Sequence, residues 1–165
     1  MQIVRIWDLP TRLFHWVLAL AVIGLVVTGK VGGNAMVWHF RLGYVVFALL
    51  LFRLVWGLVG GHWSRFVAFI YAPATLIAYL RGEGRPQHAA GHSPTGAMSV
   101  FALLAVLGLQ VATGLFSDDE IAASGPLTTL VAGKTVSLAT GWHKHWGQCL
   151  VIGLVVLHVV ESLLL

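Results

Sequence analysis

Apolar positions gather into four long runs, about Arg12–Thr28, Val37–Leu58, Gly96–Phe116 and Trp142–Leu165. Each is close to the ~20 residues that a helix needs to cross a hydrocarbon layer of ~30 Å. Trp16, Trp38, Trp56, Trp63, Trp142 and Trp146 cluster at the ends of these runs, where indoles sit at a membrane interface. Between runs two and three, Phe66, Phe69, Ile70, Leu76, Ile77 and Leu80 recur at spacings that mark one helical face. Pro73 interrupts this stretch and Arg81-Gly82 closes it. It is short for a crossing and predicts a helix lying on the membrane surface, with a fifth span as the alternative. The predicted fold is an all-α membrane protein: one domain over residues 1–165, a four-helix transmembrane bundle with a short interfacial amphipathic helix between helices two and three.

Composition agrees. Of 165 residues, 58% are hydrophobic and 10% charged, where a soluble domain carries about a quarter charged residues. Arg5, Asp8 and Arg12 precede the first apolar run and no small-residue cleavage site ends it, so that run reads as a span and not as a removed leader. The net charge of +4 is spread over connections between spans. It reads as an orientation signal and not as a nucleic-acid surface. Arg5, Arg12, Arg65, Arg81 and Arg85 fall on one side; Lys30, Lys134 and Lys144 fall on the other, with Arg41 just inside span two. The bias predicts a multi-pass membrane protein with both termini cytoplasmic. Cys149 is the single cysteine and there is no C-x-x-C-H, so an internal disulfide and a thioether-bound haem are excluded.

Four histidines lie inside or at the ends of the spans: His15, His39, His143 and His158. An imidazole in hydrocarbon is costly, so each is a functional candidate. On a regular helix His143 and His158 are separated by about 22 Å along the axis and roughly 60° around it. One helix thus offers two imidazoles to one side, one near each membrane face, which suits two stacked haems. Depth pairs His15 with His158 at the cytoplasmic side and His39 with His143 at the outer side. Neutral imidazole is a common axial ligand of haem iron. Two per iron close it to substrates and favour electron transfer.

A weak internal echo accompanies them. Val26-Val27-Thr28-Gly29 closes span one and Val111-Ala112-Thr113-Gly114 closes span three. His39 and His143 open the spans that follow, each with a glycine four residues on, Gly43 and Gly147. Residues four apart share a helix face, and glycine there lets a flat macrocycle approach the backbone. The same spacing favours His143 over its neighbour His145, which has Cys149 at that place and lies about 140° out of register with His158.

Bland readings stand beside these. His15 and His39 adjoin Trp16 and Trp38 and read alternatively as interfacial residues. His62, His88 and His92 lie among Gly, Arg, Pro and Ser and read as solvated. Arg53, late in span two, either snorkels to the interface or pairs with a haem propionate. Asp118-Asp119-Glu120 is a solvated loop or a docking patch for a basic redox partner.

The opening Val4-Arg5-Ile6-Trp7-Asp8-Leu9-Pro10-Thr11-Arg12-Leu13-Phe14-His15-Trp16 resembles the start of bacterial cytochrome b561 proteins and of the cytochrome b subunits of nickel-iron hydrogenases. The likeness continues through His39-x-x-x-Gly43-Tyr44, Phe52-Arg53-Leu54-Val55-Trp56-Gly57, Gly91-His92-Ser93-Pro94-Thr95-Gly96 and Leu157-His158-Val159. It implies a four-helix cytochrome of the bacterial inner membrane with two non-covalent b haems, ligated by His15, His39, His143 and His158. Such proteins pass electrons between membrane quinones and an outward-facing partner, a c-type cytochrome or a hydrogenase. Superoxide:quinone oxidoreduction is the alternative activity that the likeness permits. The family spaces its fourth-span histidines by 14, whereas here the choices are 13 and 15, so the outer ligand stays open between His143 and His145.

Overall fold

The structure, a computed structural model, describes residues 8–83, 93–121 and 123–164. The expectations placed on Arg5, Arg85, His88 and His92 lie outside them. Among the described residues, four helical segments are long and apolar enough to cross a membrane, and there are helices and connections but no sheet, only an isolated bridge between Asp118 and Ser124.

Helix α1 spans Leu9–Val31. Asp8 caps it, accepting the Thr11 N–H at 2.9 Å, and Pro10 occupies the first turn, where its missing N–H costs nothing. Gly32 and Gly33, with φ of 66° and 53°, end α1 and reverse the chain, a conformation that glycine adopts without Cβ strain. Helix α2 follows over Met36–Val59. The amphipathic stretch becomes a single tight turn at Phe66–Ala68 and then helix α3, Pro73–Leu80. Pro73 starts α3 and does not kink a longer helix, so the surface segment is shorter than its apolar spacing predicts, and far too short to span. Helix α4, Pro94–Leu115, is capped by Ser93, whose Oγ accepts the Gly96 N–H at 3.0 Å.

The last span is longer than its hydropathy suggests. Helix α5, Gly133–Gly141, runs into a π-helical turn at Trp142–Gly147 and then into α6, Gln148–Leu164. Residues 133–141, which precede the fourth apolar run, are thus helical. Their Gly, Thr and Ser are weak helix formers, and continuity with the apolar helix beyond overrides that local preference.

Helix α1 packs along α2 and α4 along α6, and α2 joins the two hairpins through α4. The core is aliphatic and sits at mid-height: Ala21 from α1, Val46 and Leu50 from α2, Leu107 from α4 and Val151 from α6. Leu9, Leu20, Leu58 and Leu163 are among the large apolar side chains left on the outside. Such a belt suits a bundle whose solvent is lipid, since hydrocarbon replaces water without cost.

The connection after α2 is tied to the start of α1. Asp8 Oδ2 accepts the Trp56 indole N–H at 3.1 Å and the Ser64 hydroxyl at 2.8 Å. Burial alone would raise the Asp8 pKa, but the hydrogen bonds from Thr11, Ser64 and Trp56 together hold it below the ordinary range.

Candidate cofactor site: two opposed imidazole pairs

On every span the core residues lie between a feature at one end and a feature at the other. At the end that carries Asp8, the rings of His15 (α1) and His158 (α6) face each other with centroids 6.3 Å apart. At the opposite end His39 (α2) and His143 (the π turn) do the same at 6.0 Å. All four are half-buried, whereas His145 is exposed on the outside of the same turn. The structure therefore brings together both pairs that depth alone suggested.

The hydrogen bonds define which ring nitrogen is free. His143 Nδ1 lies 2.9 Å from the carbonyl of Gln110, and His39 Nδ1 lies 3.0 Å from that of Leu25. A carbonyl only accepts, so both Nδ1 atoms carry hydrogen and both Nε2 lone pairs are available. His39 also lies 3.2 Å from Thr28 Oγ1, whose own hydrogen goes to the Gly24 carbonyl. His158 Nδ1 is 3.3 Å from Ser99 Oγ, and that hydroxyl donates to the Gly96 carbonyl at 3.0 Å. Ser99 is left to accept, which assigns the same tautomer to His158.

Glycines make room for two of the rings. A Cβ on Gly29 would lie 3.2 Å from Cε1 of His39, and one on Gly114 would lie 2.9 Å from Cε1 of His143. The echoed Thr-Gly pairs thus have a shared geometric meaning, which sequence reasoning noticed without explaining. A Cβ on Gly43 would meet nothing within 4 Å. Gly147 is different: the Gln110 carboxamide lies over it. Gln110 escaped the sequence reading, although a lone carboxamide in an apolar run was a signal for it.

Arg53 is enclosed by protein. It is 4% exposed, donates from a terminal guanidinium nitrogen to the Ser64 carbonyl at 3.0 Å, and stacks over Phe66 at 4.6 Å. It holds the connection after α2 onto the bundle, near the His15–His158 end. In the opposite loop, Asp118 Oδ1 accepts the Glu120 N–H at 2.7 Å, and Asp119 Oδ1 accepts those of Ile121 and Ala123 at 2.9 and 2.8 Å. Two of the three acidic side chains therefore brace their own loop.

Residues 6–164 match the family described as prokaryotic cytochrome b561. The chain belongs to that family. Similar proteins include the "Probable Ni/Fe-hydrogenase B-type cytochrome subunit" of Cupriavidus necator, 27% identical over 96% of this chain and 78% of the relative. The protein of the same name from Azotobacter vinelandii is 28% identical over 94% of this chain and 78% of its own. The "Probable Ni/Fe-hydrogenase 1 B-type cytochrome subunit" of Escherichia coli K12 is 25% identical, with coverages of 96% and 81%. No solved structure matches. The cytochrome is thus a multi-pass membrane protein of a b-type haem family, and the family implies transmembrane electron transfer.

Proposed function

We propose that the cytochrome carries electrons across the membrane on two non-covalent b haems, one held by His15 and His158 and the other by His39 and His143. The observation that carries this reading is the spacing of the two ring pairs. Two imidazole nitrogens each ~2 Å from a shared metal put the ring centroids about 6 Å apart, and the pairs stand at 6.3 and 6.0 Å. Bound haem supplies one-electron iron chemistry. His15 with His158, and His39 with His143, would each hold one haem iron from both sides and so leave no open place on it for oxygen or other ligands. The acceptors at Nδ1 fix ring orientation and raise the basicity of Nε2. Gly43 leaves open backbone on the outer side, Gly147 has the Gln110 carboxamide over it there, and Arg53, one guanidinium nitrogen of which is given to Ser64, would offer its remaining donors on the inner side to a propionate.

The side bearing His15 and His158 is proposed as cytoplasmic, from the Arg bias of the connections. Quinone or quinol is the proposed membrane substrate on that side. Its support is an open apolar groove of about 380 Å³ between α1 and α2, lined by Leu9, Leu13, Phe14, Leu49 and Phe52, with Phe14 adjoining His15. The outward partner is proposed to be a c-type cytochrome or a hydrogenase. The test is a pyridine haemochrome assay with low-temperature spin-state spectra on the purified protein. The expected result is two b haems per polypeptide, both low-spin, with His158→Ala losing one and His39→Ala the other. A stoichiometry of one, or a high-spin haem in the wild type, overturns it.

A further inference from the structure

The π turn at Trp142–Gly147 contains both candidate outer ligands, His143 and His145. In an α-helix each carbonyl is met by the N–H four residues on; in a π turn it is met five residues on. The changeover leaves a carbonyl to be satisfied from elsewhere. Gln148, which closes the turn, sends its N–H to the His145 carbonyl. The His143 carbonyl receives Gln110 Nε2 from α4 at 2.8 Å. The same Gln110 accepts the His143 Nδ1–H on its backbone carbonyl at 2.9 Å. One residue on the facing span therefore grips both the backbone and the ring of His143.

The other half of the carboxamide is also placed. Gln110 Oε1 and Trp142 Nε1 are buried and have no partner among the described residues. Both lie over the α-carbon of Gly147: a Cβ there would stand 2.9 Å from the indole nitrogen and would collide with Oε1. An orphaned acceptor and an orphaned donor at one spot are complementary, and turning the amide toward the indole would pair them. The carboxamide would then hold the π turn at its first residue, Trp142, and at His143. In hydrocarbon an unmet carbonyl is expensive, so removing this amide favours a return to the α geometry. Closing the extra residue out of the turn rotates the preceding segment by about 100°. His143 would leave its place opposite His39.

We propose that Gln110 is the positioning residue that makes His143, and not His145, the outer ligand, by clamping the π turn over Gly147. This rests on the reading of His39 and His143 as a ligand pair. The test uses the haem-loaded full chain in detergent, with low-temperature EPR of the ferric protein and a redox titration. Gln110→Leu removes the clamp, and Gly147→Ala drives the amide out by filling its place. Both are expected to lose or shift the outer low-spin signal and its midpoint potential while keeping the inner signal, the one that His158→Ala removes. Retention of the inner signal shows that the bundle has folded. Leu109→Ala, on an exposed position beside Gln110, is expected to change neither. If Gln110→Leu and Gly147→Ala both leave the outer signal and potential at wild-type values, the clamp is overturned while the ligand reading stands. If His143→Ala leaves the outer signal intact, the ligand reading fails and the clamp falls with it.

Discussion

Gly114 faces the imidazole of His143, so closely that a single added methyl would stand 2.9 Å from Cε1. The relation is repeated in the other hairpin, where Gly29 meets His39 at 3.2 Å. It extends to the hydrogen bonds. The carbonyl that accepts each ring belongs to the residue four before the glycine, Leu25 in one hairpin and Gln110 in the other. Residues four apart stack on one helix face, so a Thr-Gly step and the carbonyl one turn earlier form a socket for an imidazole from the next span.

Alanine at Gly114 is therefore expected to push the His143 ring and weaken or shift the outer haem. Gly29→Ala, with its slightly longer contacts, should do the same less severely. Haem content and the outer midpoint potential measure both. Equal, wild-type values in the two variants would mean that the sockets do not orient the rings.

Ser99 accepts from His158 at the other end. Its hydrogen bond makes the imidazole more electron-rich and favours ferric iron. Ser99→Ala should raise the inner midpoint potential in a redox titration and leave the outer one unchanged. A fall in the inner potential, or an equal change at both, would contradict the assignment.

Asp8 couples the start of α1 to Trp56 and Ser64. Asp8→Ala removes a helix cap and is expected to cost about 1–2 kcal/mol, read as a lower unfolding midpoint in detergent. The Asp8 pKa is depressed in the folded protein, so its stabilisation is complete above the ordinary Asp pKa and is lost as pH falls through the depressed value. Asp8→Asn should flatten that acid limb and have no effect on the pH dependence between 5 and 8, a range taken as roughly neutral.

The acidic loop is tested with substitutions that spare its bracing. Asn at positions 118 and 119 retains the Oδ1 that accepts the backbone N–H groups, and Gln at 120 neutralises the exposed Glu120. Electron transfer to a basic c-type cytochrome should slow with ionic strength in the wild type, because salt screens such steering over about 8–10 Å. The Asp118→Asn, Asp119→Asn, Glu120→Gln variant should be slower at low salt and less salt-dependent. Faster reduction by a small anion such as superoxide in that variant, with no change toward the basic cytochrome, would favour the alternative activity instead.

Much of this arrangement was legible along the chain. Hydrophobic run lengths set four crossings, because a bilayer has one thickness and a helix one rise per residue. The four histidines stood out, because imidazole in hydrocarbon has no bland explanation at His158. Depth paired them correctly in space, since antiparallel spans put His15 near His158 and His39 near His143. What no linear pattern held was the environment of each group. Regular helical angles left His143 and His145 to be separated by inference; the π turn, a break in that regularity, exposes His145 and faces His143 to His39. Arg53 read equally as an interfacial cation or a propionate partner, and only the fold of the following connection shows it enclosed by Ser64 and Phe66. Gln110 is the plainest case. Its role depends on reaching the His143 carbonyl on a different span, and a hydrogen bond of that kind exists only once two helices have packed.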